Sequence, residues 1–323
     1  MPVSDFMEEH FRHFNARELL AAAAAWANFV GSGDKIVVAL AGALSTGEIG
    51  RSLGPLIRAG KVHAVSCTAA NLEEDIFRLV GGKEYVDIPS YRDLSVEDEE
   101  SLRNQGLSRI TDTCLPAEVV AGVEAVLLAY WKEAAQAGRA HFPYEYFYRF
   151  LRELRGRDPD LSMGASWVAA AEEMQIPIFS PGFEDSTTGN MFAASVMTGQ
   201  VGSHSVVRSG TEQFEHLVQW YVGESESSEM GFFQIGGGIA GDFAICAVPC
   251  IVQDLGQEDC KLWSYFAQIS DSTTSYGSYS GAVPNEKITW FKLAKGCQKF
   301  MIDSDASIVA PLVFQYVLER GRA

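Results

Sequence analysis

The chain alternates short apolar strands with small-residue loops and helices, and this alternation constrains its fold more than any other feature. A β-branched strand is predicted over Lys35–Leu40, and a small-residue loop at 41–47 precedes a helix at about 48–58. The next strand, 61–67, leads directly into a helix at 68–80. Strands that alternate with helices build a doubly wound, mostly parallel sheet with helices on both faces. The predicted fold class is therefore α/β.

The rest of the chain extends the same pattern. Further helices are predicted at 16–30, 117–138, 143–156, 211–222 and up to 319, and further strands at 176–180, 231–235, 264–269 and 299–302. Residues 87–109 are polar and charged, which predicts excursions over the surface. No repeat or low-complexity linker divides the 323 residues. We therefore predict one domain, 1–323, with a short N-terminal helical segment at about 1–33.

Composition excludes several classes of protein. The formal net charge of −17 argues against nucleic-acid binding, which needs clustered lysine and arginine, and favours either solubility alone or a cationic partner. No apolar run is long enough to cross a bilayer, and residues 1–13 lack the pattern of a signal peptide. Membrane attachment is therefore not expected, and the predicted location is the cytoplasm.

Cysteine and histidine spacing gives no support for a metal site. The six cysteines form no CxxC pair, and the six histidines show no metal-ligand spacing. The cysteines are typical of reduced, mostly buried thiols. We predict no metal.

Several predicted strands end at loops of small or hydroxylic residues. In an open parallel sheet, ligands bind beyond the carboxyl ends of the strands. Small residues would let a pyrophosphate approach backbone N–H groups at a helix start, and a later carboxylate could hold ribose hydroxyls. Tight packing explains the glycines equally well, because residues 236–241 are not a GxGxxG fingerprint. The candidate segments for one shared cleft are 41–45, 68–70, 185, 236–238 and 305–306.

Two other polar segments have a structural and a functional interpretation. Asn71 and Glu74 have the spacing of a helix capping box, yet Glu73 and Glu74 could instead face the cleft and bind a cationic substrate. The hydroxyl-rich loop 270–281 could close a turn or line a pocket for amines and cofactor hydroxyls.

Lys292 is the candidate nucleophile. The β-branched and aromatic stretch 288–293 predicts a strand, on which Ile288, Trp290 and Lys292 share one face. Apolar surroundings favour the neutral amine of a lysine, which attacks carbonyl and imine carbons. The structural alternative is a lysine whose stem covers apolar surface while its ammonium reaches water.

The order and spacing of these segments resemble the deoxyhypusine synthase family, and the chain is most similar to its shorter bacterial members, the deoxyhypusine synthase-like proteins. The resemblance extends from about residue 38 to residue 317. It is most specific at 68–75 (TAANLEED), 178–181, 235–239, 290–292 and 305–307.

The resemblance implies a Rossmann-like NAD-binding fold and a homotetramer with active sites at subunit interfaces. It implies that NAD contacts Ala41, Gly42, Ala43, Leu44, Ser45, Thr68, Ala69, Ala70, Asp185, Gly237, Gly238, Asp271, Ser272, Asp305 and Ala306. It places Glu73, Glu74 and the segments 277–279 and 286–292 around a polyamine. The substrate residues so implied include Gly277, Ser278, Tyr279, Glu286 and Trp290.

The implied reaction is aminobutyl transfer with a recycled NAD. By resemblance, Lys292 attacks an imine made from spermidine, releases 1,3-diaminopropane and carries a 4-aminobutyl group until an acceptor amine displaces it. Trp290 would stabilise the cationic amine, and carboxylates such as Glu74 would bind its other ends.

The sequence departs from the family pattern at three polar substrate positions. A polyamine-binding histidine is replaced by Asp242, and two aspartates are replaced by Asn190 and Tyr279. Asp242 could accept a proton, although a carboxylate is a weaker base than imidazole. The acceptor is therefore either a protein lysine or a diamine such as putrescine, which would give homospermidine. A non-catalytic NAD- or polyamine-binding protein is the third alternative.

Overall fold

The computed structural model describes residues 1–273 and 277–321, and within them the centre is a six-stranded parallel sheet. The strands in chain order are β1 (Lys35–Leu40), β2 (Ala64–Cys67), β3 (Val86–Asp87), β4 (Leu107–Ile110), β5 (Thr113–Pro116), β6 (Ile178–Phe179), β7 (Met230–Ile235), β8 (Trp263–Ser270) and β9 (Leu293–Asp303). The central sheet has the order β6-β2-β1-β7-β8-β9. The predicted α/β class and parallel sheet are confirmed.

The strand order reverses between β1 and β7. The chain runs outward from β1 through β2 to β6, and β7 then pairs with the other side of β1 and begins a second run through β8 to β9. Connections therefore leave these two strands in opposite directions. In open parallel sheets a ligand crevice opens beyond the carboxyl ends of such a strand pair.

Helices cover both faces of the central sheet. They are α1 (Val3–His10), α2 (Phe14–Gly31), α3 (Gly50–Arg58), α4 (Ala69–Gly81), α5 (Val96–Asn104), α6 (Ala117–Ala137), α7 (Pro143–Arg157), α8 (Trp167–Met174), α9 (Thr187–Met197), α10 (Gly210–Ser225), α11 (Gly238–Ile245), α12 (Ala247–Pro249) and α13 (Ala306–Arg320). Strand alternation divides β1 between two cores: Ile36 and Val38 enter one, whereas Val37 and Ala39 enter the other. Both faces of β1 are consequently apolar.

A small second sheet was not predicted. Strands β3, β5 and β4 form an antiparallel sheet in that order, and α5 precedes β4 within the polar stretch 87–109. Strand β4 has no buried residue, so it lacks the apolar alternation by which a strand is recognised. Arg109 on β4 instead donates to the carboxylate of Glu99 on α5, at 2.8 Å from Nε.

The predicted strand at 288–293 is wrong. Pro284–Ile288 is a 3₁₀ helix, and β9 begins only at Leu293. Thr289 Oγ1 donates to the Glu286 carbonyl at 2.8 Å, and Phe291 has a φ of 58°. These local bonds and a left-handed residue override the β propensity of the stretch. Ile288 and Trp290 therefore do not share a strand face with Lys292.

The described residues contain no helix that is both long enough and apolar enough to span a membrane.

Candidate active site

A groove of about 630 Å³ opens beyond the carboxyl ends of β1, β7, β8 and β9. It is lined by Ala41, Gly42, Ala43, Leu44, Ile235, Gly236, Ile269, Ser270, Asp271, Asp303, Ser304, Asp305 and Ala306. Four short segments that are distant in sequence therefore meet at the strand-order reversal. Sequence reasoning missed Ile235, Ile269 and Ser304, although their positions at strand ends were the available signal.

Glycines shape the floor of this groove. Gly42 and Gly236 have φ values of 66° and 72°, which favour glycine. A Cβ on Gly236 would lie 2.8 Å from the Cβ of Ala41, so the loops after β1 and β7 touch. A Cβ on Gly42 would meet nothing within 4 Å. Backbone and small side chains therefore leave room for a ligand to approach closely.

Asn71 holds the loop after β1 in place. Its Oδ1 accepts the N–H and the hydroxyl of Ser45 at 3.0 and 3.2 Å, and its Nδ2 donates to the carbonyls of residues 40–42. The capping-box interpretation is wrong, because Thr68 caps α4 by accepting the Asn71 N–H at 3.2 Å. The Asn71 side chain is buried and organises the groove instead.

Other residues predicted to bind the cofactor lie beside the groove lining. Thr68 donates to the Gly42 carbonyl at 2.7 Å, and the Ser272 N–H donates to Ser270 Oγ at 3.1 Å. Ser45 follows the lining segment 41–44, and Gly237 and Gly238 follow Gly236, whereas Ala69 and Ala70 open α4 next to Thr68. Asp185 is exposed on the loop before α9, and it is not among the described residues that line this groove. The cofactor contacts of all these residues stay predictions.

Three carboxylates lie at the β8 and β9 end of the groove: Asp271, Asp303 and Asp305. Asp305 caps α13, and its Oδ1 accepts the N–H and hydroxyl of Ser307 at 2.8 and 2.7 Å. Carboxylate oxygens accept hydrogen bonds from hydroxyl groups of a ligand.

Lys292 opens into a second cavity of about 570 Å³. The lining residues are Asp242, Cys246, Pro249, Gly277, Ser278, Tyr279, Ala282, Val283, Glu286, Lys287, Trp290 and Lys292. Lys292 is only 9% exposed, and its Nζ donates to Asp242 Oδ1 at 2.7 Å. The face of Tyr279 lies 5.2 Å from the same nitrogen. Lys292 is therefore largely buried, and its ammonium pairs with a carboxylate at the cavity wall.

The second cavity adjoins the groove through α11. Gly236 lines the groove, and α11 starts two residues later at Gly238 and presents Asp242 to Lys292. Tyr279 donates to Gln234 Oε1 on β7 at 2.9 Å. A Cβ on Gly241 would lie 3.0 Å from the Tyr279 ring, so this tyrosine packs directly on α11. The connection from β7 to α11 therefore contributes lining residues to both cavities, Gly236 to the groove and Asp242 to the Lys292 cavity.

Of the acidic pair after β2, Glu73 anchors α9. Its carboxylate accepts the N–H groups of Thr187 and Thr188 at 2.9 and 2.7 Å and the Thr188 hydroxyl at 2.7 Å. Asn190 Nδ2 donates to the carbonyls of Glu184 and Ser186 at 2.9 and 2.6 Å. Within the described residues, neither side chain lines the Lys292 cavity. Their contacts with a polyamine stay predictions.

Glu74 is buried and bonds to the hydroxyl of Thr46. Burial raises the pKa of Glu74 to about 7, and the neighbouring Glu73 adds to the rise. This carboxyl also lies outside the lining of the Lys292 cavity among the described residues. The groups that sequence reasoning assigned to one amine pocket are therefore divided: Asp242, Gly277, Ser278, Tyr279, Glu286 and Trp290 line it, and Glu73, Glu74 and Asn190 do not.

We expect Glu74→Gln to stabilise the protein above pH 7. A raised folded-state pKa means that the folded protein holds a proton which the unfolded chain releases from about pH 4.5 upward. Wild-type stability therefore falls between about pH 4.5 and pH 7, by at most roughly 3 kcal/mol, and the glutamine variant lacks this loss. Urea unfolding of both proteins at pH 5 and pH 8 measures the difference. The exposed Glu84→Gln is the control, and an equal Glu74→Gln effect at both pH values would contradict the prediction.

Lys287 is a second buried lysine of the cavity. It was predicted only as part of the 286–292 segment. Its Nζ donates to the Ala282 carbonyl at 3.1 Å and lies 4.8 Å from the Tyr279 ring and 5.2 Å from the Phe266 ring. Burial and the positive charge of Lys292 lower the pKa of Lys287 to about 8. Sequence alone gave no signal, because the 3₁₀ helix Pro284–Ile288, which turns this side chain inward, was not predicted.

Comparison with known proteins identifies the same family that the sequence resembles. The sequence profile of the family described as deoxyhypusine synthase matches residues 5–317. A deoxyhypusine synthase-like protein from Thermosynechococcus vestitus is 29% identical over 294 residues, which cover 88% of this chain and 70% of the relative. The "Probable deoxyhypusine synthase 2" of Methanosarcina mazei is 25% identical over 324 residues, 99% of this chain and 88% of the relative.

Solved structures agree on the fold. The crystal structure of "a putative deoxyhypusine synthase from Entamoeba histolytica" has a TM-score of 0.59 and 12% sequence identity, and the match covers 98% of this chain and 92% of the other. At this identity the likeness concerns the fold alone. The family assignment follows from the profile, which spans nearly all of the chain. This chain belongs to the deoxyhypusine synthase family.

Proposed function

We propose that the protein is an NAD-dependent transferase that moves a 4-aminobutyl group from spermidine or a related polyamine to an acceptor amine, with Lys292 as the carrier. The observation that carries the proposal is the enclosed Lys292, paired with Asp242 in a cavity next to the groove at the strand-order reversal. Membership of the deoxyhypusine synthase family supports the transfer chemistry.

The chemistry of the groove lining supports NAD as the cofactor. Gly42 and Gly236 leave backbone exposed at the carboxyl ends of β1 and β7, and the N-terminus of α11 follows directly. A helix N-terminus favours a phosphate charge. At the other end, Asp271, Asp303 and Asp305 supply acceptors for ribose hydroxyls. NAD bound here would supply a two-electron acceptor for amine oxidation and return the electrons after transfer.

Asp242 prepares Lys292 for attack. Only a neutral amine is a nucleophile, and Asp242 Oδ1 lies 2.7 Å from Nζ, within reach to accept a proton. The Asp242 side chain is about half exposed, at 48%, so the proton can pass on to solvent. Lys292 Nζ adds to the imine carbon of the oxidised polyamine, and the bond from that carbon to the nitrogen of 1,3-diaminopropane then breaks as that nitrogen takes up a proton. Lys292 then holds the aminobutyl group as an imine until an acceptor amine displaces it.

Aromatic rings would hold the cationic substrate beside Lys292. Trp290 and Tyr279 both line the cavity, and Glu286 offers a carboxylate on the same wall. Ring faces attract ammonium groups, and a carboxylate binds them by charge-assisted hydrogen bonds. These groups orient an amine without reacting themselves.

Turnover tests this function. Purified protein is incubated with NAD and spermidine, alone or with putrescine or a lysine-containing peptide as acceptor. We expect release of 1,3-diaminopropane that needs NAD, together with a product four carbons and one amine larger than the acceptor. Product with putrescine identifies a homospermidine-type reaction, and product with the peptide identifies a protein lysine as the acceptor. Absence of NAD-dependent release with every polyamine tested would refute the proposed transfer.

A further inference from the structure

The charged groups that line the Lys292 cavity are of both signs, so this wall offers a place for a carboxylate as well as for an ammonium group. Among the described residues, the acidic and basic side chains that line the cavity are Asp242, Glu286, Lys287 and Lys292. Asp242 and Lys292 neutralise each other at 2.7 Å. What remains is one carboxylate, Glu286, and one ammonium, Lys287, adjacent in sequence. Such a wall is dipolar rather than negative.

Lys287 presents unused hydrogen-bond donors inside this wall. The residue is 3% exposed, and the Ala282 carbonyl is the one hydrogen-bond acceptor that its Nζ reaches among the described residues. An ammonium carries three donors, and buried donors are normally satisfied. The Tyr279 and Phe266 rings stabilise the charge but accept no conventional hydrogen bond. With respect to the described part of the chain, two donors of the ammonium therefore remain for an oxygen of a ligand.

The charge of Lys287 is present at neutral pH. Its pKa of about 8 lies above pH 7, so most molecules still carry the proton there. The charged groups that act on it are Lys292, which opposes the charge, and Glu286 and Asp242, which favour it. An ammonium end of a polyamine at this point would meet like charge in a buried place, which is costly. A carboxylate would meet an unpaired partner.

We propose that one substrate of the Lys292 cavity is an amine that also carries a carboxylate, with the carboxylate on Lys287 and an ammonium between Glu286 and Trp290. The proposal rests on the proposed function in that it takes the Lys292 cavity as the amine site. It adds the substrate class, a zwitterionic amine, and it makes Lys287 the residue that selects it.

A matched pair of ligands tests the proposal without turnover. 1,4-Diaminobutane and 2,5-diaminopentanoate differ only in one carboxylate. Their dissociation constants are measured by calorimetry, with NAD present and absent, for the wild type, Lys287→Met and Lys287→Arg. Methionine keeps the apolar stem on the two rings and removes the charge, whereas arginine keeps the charge.

We expect the wild type to bind the carboxylated amine at least ten-fold more tightly than the diamine. Lys287→Met should lose that preference through weaker binding of the carboxylated amine, and Lys287→Arg should retain it. The proposal is overturned if the wild type prefers the diamine, binds neither ligand, or keeps its preference in Lys287→Met. Because binding is measured directly, a carboxylate preference in a protein that shows no turnover would refute the transfer reaction and leave this inference standing.

Discussion

Replacing Lys292 with alanine should reduce amine transfer by roughly a thousand-fold or more, because the proposed mechanism carries the aminobutyl group on the Lys292 amine. Binding of NAD should be unchanged, since the groove that we assign to it lies beyond the strand ends and does not include Lys292. The measurement is NAD-dependent release of 1,3-diaminopropane, alongside a titration of NAD. The exposed Lys295→Ala, three residues along β9, is the matched control.

The Lys292→Arg variant tests whether Lys292 acts as a nucleophile or only pairs with the charge of Asp242. Arginine can still pair with Asp242, but its guanidinium does not lose its proton and cannot attack an imine. We expect it to be as inactive as the alanine variant. Activity in Lys292→Arg within ten-fold of the wild type would show that the residue only balances Asp242.

Replacing Asn71 with alanine should cost about 2–4 kcal/mol of folding free energy and weaken NAD binding by about ten-fold or more. The variant leaves the buried N–H of Ser45 without its acceptor and releases the carbonyls of residues 40–42. The loop after β1 then loses its bonds to Asn71, whereas the bonds of Thr68 to Gly42 and of Thr46 to Glu74 still tie it to α4 and its cap. Urea unfolding and an NAD titration measure the two effects.

The exposed Asn104→Ala, at the end of α5, is the control for this substitution. A variant of Asn71 that kept both stability and NAD affinity would show that the loop holds its shape without the side chain. Loss of stability alone, with NAD affinity retained, would remove the loop from the binding site.

The sheet could be predicted because its signal is local. Strand Lys35–Leu40 is apolar from Ile36 onward and begins that run with β-branched residues, and it is bounded by a turn and a small-residue loop, so its ends agree with the structure. Parallel strands place their carboxyl ends at one edge, which allowed 41–44, 236 and 305–306 to be predicted as parts of one groove. The antiparallel sheet had no such signal, because the short, mostly half-buried β4 does not alternate apolar with polar residues.

The interior of the site was harder to predict, because side-chain direction depends on tertiary contacts. Glu73 and Glu74 are adjacent and of the same residue type, so the sequence does not distinguish them. Glu73 nevertheless bonds to the start of α9, whereas Glu74 bonds to Thr46. The enclosure of Lys292 was expected from a strand face, and it instead comes from Asp242 on α11 and the ring of Tyr279. Lys287 turns inward on a 3₁₀ helix, which no periodicity in the sequence indicated.

The most direct test of the account is to trap the intermediate on Lys292. The protein is incubated with NAD and labelled spermidine, reduced with borohydride, digested and analysed by mass spectrometry. The account predicts a 4-aminobutyl group on the peptide that contains Lys292, present only when NAD is added and absent in Lys292→Ala. An adduct on another lysine, or no adduct in a protein that binds NAD and the polyamine, would contradict it.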